Sequence, residues 1–229
     1  MISAILHLIL ALIALTGGQA VFYLWKKQKF GKETFIKNFI GLFACLALYH
    51  LSLAFSYFLS SGNLFFMAWG YIIAITFLIL LVFFTFKIQS YFSGYSARLS
   101  LVCETCALSV AALVFFIQVY DFRLPIILPS NFIVWNGSVL ASIITAIVIL
   151  TASLNFIAML VKNLNKADIF TEKLKIYLLI SGILFMNLSL TYFFANTFSL
   201  VVLSFILHLL GIMLFSAAFL ARRRIRVKI

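Results

Sequence analysis

Of the seventeen Lys and Arg residues in this 229-residue chain, all but Arg123 fall in every second gap between long apolar stretches. Seven such stretches come close to or exceed the roughly 20 residues that a helix needs to cross a hydrocarbon core of about 30 Å. They lie near residues 2–25, 38–60, 64–86, 99–120, 132–161, 176–194 and 198–221. The first gap carries Lys26, Lys27, Lys29, Lys32 and Lys37, and the third carries Lys87 and Arg98. The fifth holds Lys162, Lys166, Lys173 and Lys175, and the tail holds Arg222, Arg223, Arg224, Arg226 and Lys228. Cationic loops resist transfer across a membrane, so these gaps are expected on the cytoplasmic side. The expected fold is an all-α integral membrane bundle of seven transmembrane helices. It forms one domain over residues 1–229, with the N-terminus outside and the C-terminus cytoplasmic. The expected location is a cell membrane, the bacterial inner membrane, with the lipid bilayer as the main partner.

Composition leaves little room for a water-soluble alternative. Apolar residues make up 66% of the chain and charged residues 10%, with a mean hydropathy of +1.22. Soluble domains carry about 25% charged residues, so lipid must cover most of these side chains. The net charge of +12 would suit nucleic acid, but no soluble nucleic-acid module accompanies it. The cations read instead as an orientation signal that also suits anionic inner-leaflet lipids. The first stretch is expected to stay as a helix and not to act as a signal peptide. Nothing before Lys26 is cationic, and its apolar run exceeds the usual 7–15 or so residues of a signal sequence.

The other gaps are short or apolar. Residues 61–63 and 195–197 leave room only for tight turns, which makes stretches two and three, and six and seven, antiparallel hairpins. The fourth gap, residues 121–131, contains Asp121, Arg123, Pro125 and Pro129. It is either a ligand-contacting lid or a stiff connector on the membrane surface. Trp69 and Trp135 fall just inside the ends of their stretches, where interfacial anchoring accounts for them.

Ionisable residues inside a membrane are costly, which makes each a candidate for function. His50 and His208 each lie about ten residues, or about 15 Å at the helical rise, from the outer end of their helices. His7 is expected to be shallower, at about 7 Å. Sequential packing would make stretches one, two and seven neighbours. A His50–His208 site for metal, haem or quinone, or a proton-sensitive switch, competes with plain hydrogen-bonded core histidines. No cofactor is the primary expectation. Cys103 and Cys106 share a helix face, but a zinc site would need two more ligands. Glu104 is read as pairing with Lys87 or Arg98 near the membrane surface, or as anchoring an interior polar cluster with Asn155 or Asn187. Thr151, Thr191 and Gln118 are further candidates for hydrogen bonds between helices. The Gly17-Gly18-Gln19 run suits close packing or a kink.

Catalysis needs positioned acids, bases or nucleophiles, and this interior holds few. There is no HExxH, no Gly-x-Ser-x-Gly, no intramembrane aspartate pair and no Lys within the seventh apolar run. An enzyme is not expected.

The order of features resembles the seven-helix N-terminal sensor region of bacterial histidine kinases. The likeness rests on a basic first gap (Lys26-Lys27-Gln28-Lys29) and on an aromatic third stretch that starts straight after a tight turn. That stretch opens Asn63-Leu64-Phe65-Phe66-Met67-Ala68-Trp69-Gly70-Tyr71 and closes on Phe83-Phe84-Thr85-Phe86-Lys87. The longest outer loop lies between stretches four and five, and the exit reads Ala221-Arg222-Arg223-Arg224-Ile225-Arg226. In that family an output domain follows the seventh helix, whereas here the sequence stops at Ile229. The resemblance implies a stand-alone sensor or receptor-like module that signals through a membrane or cytoplasmic protein partner. Arg222, Arg223, Arg224 and Arg226 would then form the docking surface. The competing functions are an accessory subunit of a larger membrane complex and a haem-, metal- or quinone-binding membrane protein.

Overall fold

A computed structural model describes residues 2–28, 33–60, 62–93, 96–128, 132–165, 167, 170–190 and 197–220. The tail with Arg222, Arg223, Arg224 and Arg226 lies outside the described residues, as do Lys29, Lys32, Lys166 and Pro129. Seven helices make up almost all of the rest: α1 (Ile2–Gln28), α2 (Glu33–Ser60), α3 (Leu64–Ser93), α4 (Ala97–Tyr120), α5 (Val139–Leu164), α6 (Phe170–Leu188) and α7 (Phe198–Leu220). Two short strands, β1 (Ile126–Ile127) and β2 (Ile133–Val134), lie between α4 and α5.

Six of the helices are long and apolar enough to cross a membrane, and α6 is the exception. Its described part is 19 residues long and opens with Glu172, Lys173 and Lys175, so no 18-residue window within it is free of this charge. The protein is a multi-pass membrane helical bundle. Apolar side chains such as Leu12, Phe66, Phe116, Leu154 and Ile206 line its outer surface, where lipid replaces water as the solvent. Exposing them to water would cost roughly 25 cal/mol per Å² of apolar surface.

Neighbours along the chain pack together, and the ring closes. α1 lies against both α2 and α7, α7 against α6, α6 against α5, and α3 against α2, α4 and α5. α4 is the most peripheral of the six spans, with only 17% of its window buried. Glycine permits the closest approaches. A Cβ on Gly182 would stand 2.8 Å from both the Gly211 carbonyl oxygen and the Phe215 nitrogen, so α6 and α7 touch backbone to backbone. A Cβ on Gly17 would stand 2.5 Å from the Phe43 ring, so the Gly17-Gly18 run serves close packing of α1 on α2. Gly62 turns the chain between α2 and α3 with φ +87°, which an L side chain rarely adopts. The Asn63 side chain then accepts from the Phe65 N–H at 3.0 Å and caps α3.

The sequence-derived boundaries differ most from the helices at three places. Residues 132–138 do not begin the fifth helix. Ile133 and Val134 pair antiparallel with Ile127 and Ile126, and α5 starts only after Ser138. Apolar strand residues cannot be told from apolar helix residues by hydropathy alone. Trp135 therefore belongs to the loop, where it stacks on Tyr71 with ring centroids 5.7 Å apart. Gln118 of α4 accepts from the Ser138 N–H at 3.0 Å, tying the end of α4 to the start of α5. The described sixth helix runs over Phe170–Leu188 and so begins before residue 176, because its charged first turns continue the helix beyond the apolar run; residues 191–194 of the expected stretch lie outside the described residues. α3 extends to Ser93, well past residue 86. The buried Gln89 on that extension donates to the Ala152 carbonyl of α5 at 2.7 Å.

Candidate functional site

Three histidines meet inside the bundle. His7 comes from α1, His50 from α2 and His208 from α7, because α1 packs between the other two. The Nδ1 atoms of His7 and His50 are 3.0 Å apart, a hydrogen bond between two buried rings. The His50 and His208 ring centroids lie 4.9 Å apart and nearly perpendicular. His7 and His50 are each 2% exposed. The His7 and His50 ring centroids lie 5.3 Å apart, so the two rings are direct neighbours.

Neighbouring side chains hold the rings in place. Tyr49 packs edge-on against His50 at 4.6 Å between centroids, and Phe205 lies 4.8 Å from His7. His208 Nδ1 is 2.7 Å from the Ser189 hydroxyl, which also donates to the Met186 carbonyl at 2.6 Å. The Nε2 atoms of His50 and His208 are sealed from solvent and have no hydrogen-bond partner among the described residues. A cavity of about 40 Å³ is lined by the three imidazoles together with Tyr49, Leu78 and Ser189, among others. A cavity needs roughly 10–15 Å³ to admit one water molecule, so this one has room for only a few water-sized groups. Haem, one of the candidate cofactors, would require α1, α2 and α7 to separate.

The donor set also argues against a metal held by all three rings. The Nδ1 atoms are already engaged, those of His7 and His50 with each other and that of His208 with the Ser189 hydroxyl. Among the described residues no group of three or more His, Cys, Asp or Glu side chains is arranged to hold a metal ion. The cysteines are free, with Cys45 buried, Cys103 half-buried and Cys106 exposed.

The other candidates lie elsewhere. Glu104 pairs with Lys87 of α3 at 3.4 Å and accepts from Ser100 at 2.8 Å. Lys87 also sits 4.6 Å over the Phe83 ring. The interior cluster of Glu104 with Asn155 or Asn187 does not form. Asn155 is exposed, because α5 buries the face of Ala152, Phe156 and Met159. Asn187 is half-buried on α6. Thr151 is exposed and bonds within its own helix, to the Ile147 carbonyl at 2.8 Å. Asp121 pairs with Arg123 at 2.9 Å in the loop after α4.

Sequence reasoning placed all three histidines on the right helices but did not foresee Ser189, Tyr49 or Gln89. Ser189 carried a usable signal, since it lies inside the apolar stretch 176–194, where a hydroxyl has no water to turn to. Comparison with protein-family models, with curated proteins and with solved structures finds no match to this chain.

Proposed function

We propose that the chain is a non-enzymatic, seven-span sensor module of the bacterial inner membrane, with its N-terminus outside and its C-terminus cytoplasmic. It responds to a change at the histidine cavity by moving its helices, and it signals through the basic tail to a protein partner. This is also what the resemblance to histidine-kinase sensor regions implies.

The observation that carries the reading is the meeting of three imidazoles from α1, α2 and α7 around one cavity. Polar rings are retained inside a membrane bundle at a cost and most often serve function. The site joins the first and last helices of the chain, so a change there is well placed to shift α7 and the tail that follows it. The described acids are all elsewhere: Glu33 at the start of α2, Glu104 with Lys87, Asp121 with Arg123, and Glu172 at the start of α6. A histidine cluster with no acid beside it suits detection better than acid–base turnover. The charge pattern supports seven spans and the stated orientation.

Deletion of residues 222–229 tests the output step. The truncated protein should fold with an unchanged melting temperature and lose its partner in a pull-down from mild detergent. Retention of the partner would count against the sensor reading. One observation favours the accessory-subunit reading: Asn155 presents an amide on the outer face of α5, where a neighbouring helix would satisfy it better than lipid. A stoichiometric complex that survives detergent and dissociates on Asn155→Leu would support that alternative.

A further inference from the structure

The protonation of His208 follows from its neighbours. The Ser189 hydroxyl has one proton, and the Met186 carbonyl 2.6 Å away can only accept it. The 2.7 Å contact between Ser189 and His208 Nδ1 must then be donated by the imidazole. His208 therefore carries its proton on Nδ1, and its Nε2 is a bare acceptor that is sealed from solvent and unmatched among the described residues. His50 Nε2 is also buried and unmatched. In the His7–His50 bond one Nδ1 donates and the other accepts. When His7 donates, His50 carries its proton on Nε2 and offers a donor on a ring whose centroid is 4.9 Å from that of His208.

An apolar groove adjoins this polar cup. It has a volume of about 150 Å³ and is lined by Leu6, Ile9, Val202, Ile206 and Leu209, with Leu10 and Phe205 shared with the histidine cavity. Ile9 and Ile206 are exposed, so the groove opens on the outer surface of the bundle between α1 and α7. A solute dissolved in the bilayer meets this opening directly.

We propose that the histidine cavity binds the hydroxyl head of a lipid-soluble alcohol or phenol, which arrives sideways from the bilayer with its hydrocarbon body in the α1–α7 groove. A hydroxyl donates to His208 Nε2 and accepts from His50 Nε2–H. A ketone or an ether has no proton for His208. The proposal rests on the sensor reading for its physiological sense, but binding is testable without any partner.

The test uses the full chain in phosphatidylethanolamine–phosphatidylglycerol nanodiscs. The probe is a C12 alcohol bearing a mid-chain diazirine, and its methyl ether is the control. After irradiation, peptides of α1 and α7 are mapped by mass spectrometry. The alcohol is expected to label the groove around Ile9 and Val202 about fivefold more than the ether, the scale of one net hydrogen bond. Excess plain dodecanol should compete it away. His208→Leu should abolish the preference for alcohol over ether, and His208→Gln, which keeps an acceptor oxygen, should restore part of it. Val202→Trp, which fills the groove and leaves the histidines in place, should suppress labelling by both probes. Equal labelling by alcohol and ether, or a preference that survives His208→Leu, would overturn the proposal and leave water as the occupant. Loss of the preference with the tail-dependent pull-down intact would remove the ligand alone. Preference retained with no partner found would remove the output step alone.

Discussion

The His7–His50 bond makes each ring depend on the other. Replacing one leaves a buried nitrogen without its partner, which costs about 1–3 kcal/mol, whereas replacing both with apolar residues is far milder. His50→Leu is therefore expected to lower the melting temperature in detergent, as is His7→Leu. The double variant should be more stable than the sum of the two losses implies, and a double-mutant cycle reads this directly. Strict additivity would mean that the 3.0 Å contact does no energetic work. At this scale the sequence was readable only in part. A helical rise of 1.5 Å per residue put His50 and His208 at one level, but it did not show that the His7 ring meets that of His50, because relative helix offsets are set by side-chain packing. Asn155 was misread for a related reason: hydropathy shows that a helix is apolar without showing which face meets its neighbours.

Among the elements, the contact of α6 with α7 is the most sensitive to substitution. The space facing Gly182 is filled by the backbone of Gly211 and Phe215, and backbone cannot rotate aside as a side chain can. Gly182→Ala should destabilise by about 1–3 kcal/mol, the usual range for overpacking, while Gly62→Ala should act through its positive φ and leave this contact intact. Thermal unfolding followed by tryptophan fluorescence distinguishes the two. The loop after α4 offers a pH test. The hydrogen bond from Arg123, followed by that with Ser138, holds the Asp121 carboxyl below its ordinary value, against a smaller opposing effect of burial. Its contribution is thus complete above an ordinary aspartate value of about 3.9 and is lost as pH falls through the lower folded value. Amide exchange in residues 121–128 should quicken only below about pH 4, and Asp121→Asn should remove that step. Exchange that quickens equally in both proteins would show that the pair does not hold the loop. The strands in this loop were not legible in the sequence, since two apolar residues on each side are too few to show an alternation.

For the whole molecule, the testable quantity is sidedness. With Cys45, Cys103 and Cys106 replaced, a membrane-impermeant thiol reagent applied to intact cells should label Gly62→Cys and Arg123→Cys. It should spare Lys26→Cys and Lys175→Cys, and the reverse pattern would invert the proposed orientation. The architecture was the most legible level, because apolar length and the spacing of cations act over whole helices and tolerate local errors. Helix number and order could be read from residues such as Lys26, Lys87, Arg98 and Lys162. The helices' mutual depth and rotation could not.

The backbone contact of Gly182 with Gly211 also gives the molecule a mechanical property. Gly211 lies three residues from His208 and nine from Leu220, or about 4.5 and 13.5 Å along the helix at the usual rise. A tilt of α7 that pivots where the two glycines meet has a short arm at the imidazole and a long arm towards the tail. A displacement at His208 is then magnified about threefold at Leu220 by leverage alone. Such a pivot requires no bending of α7, only a rocking of one rigid rod on another.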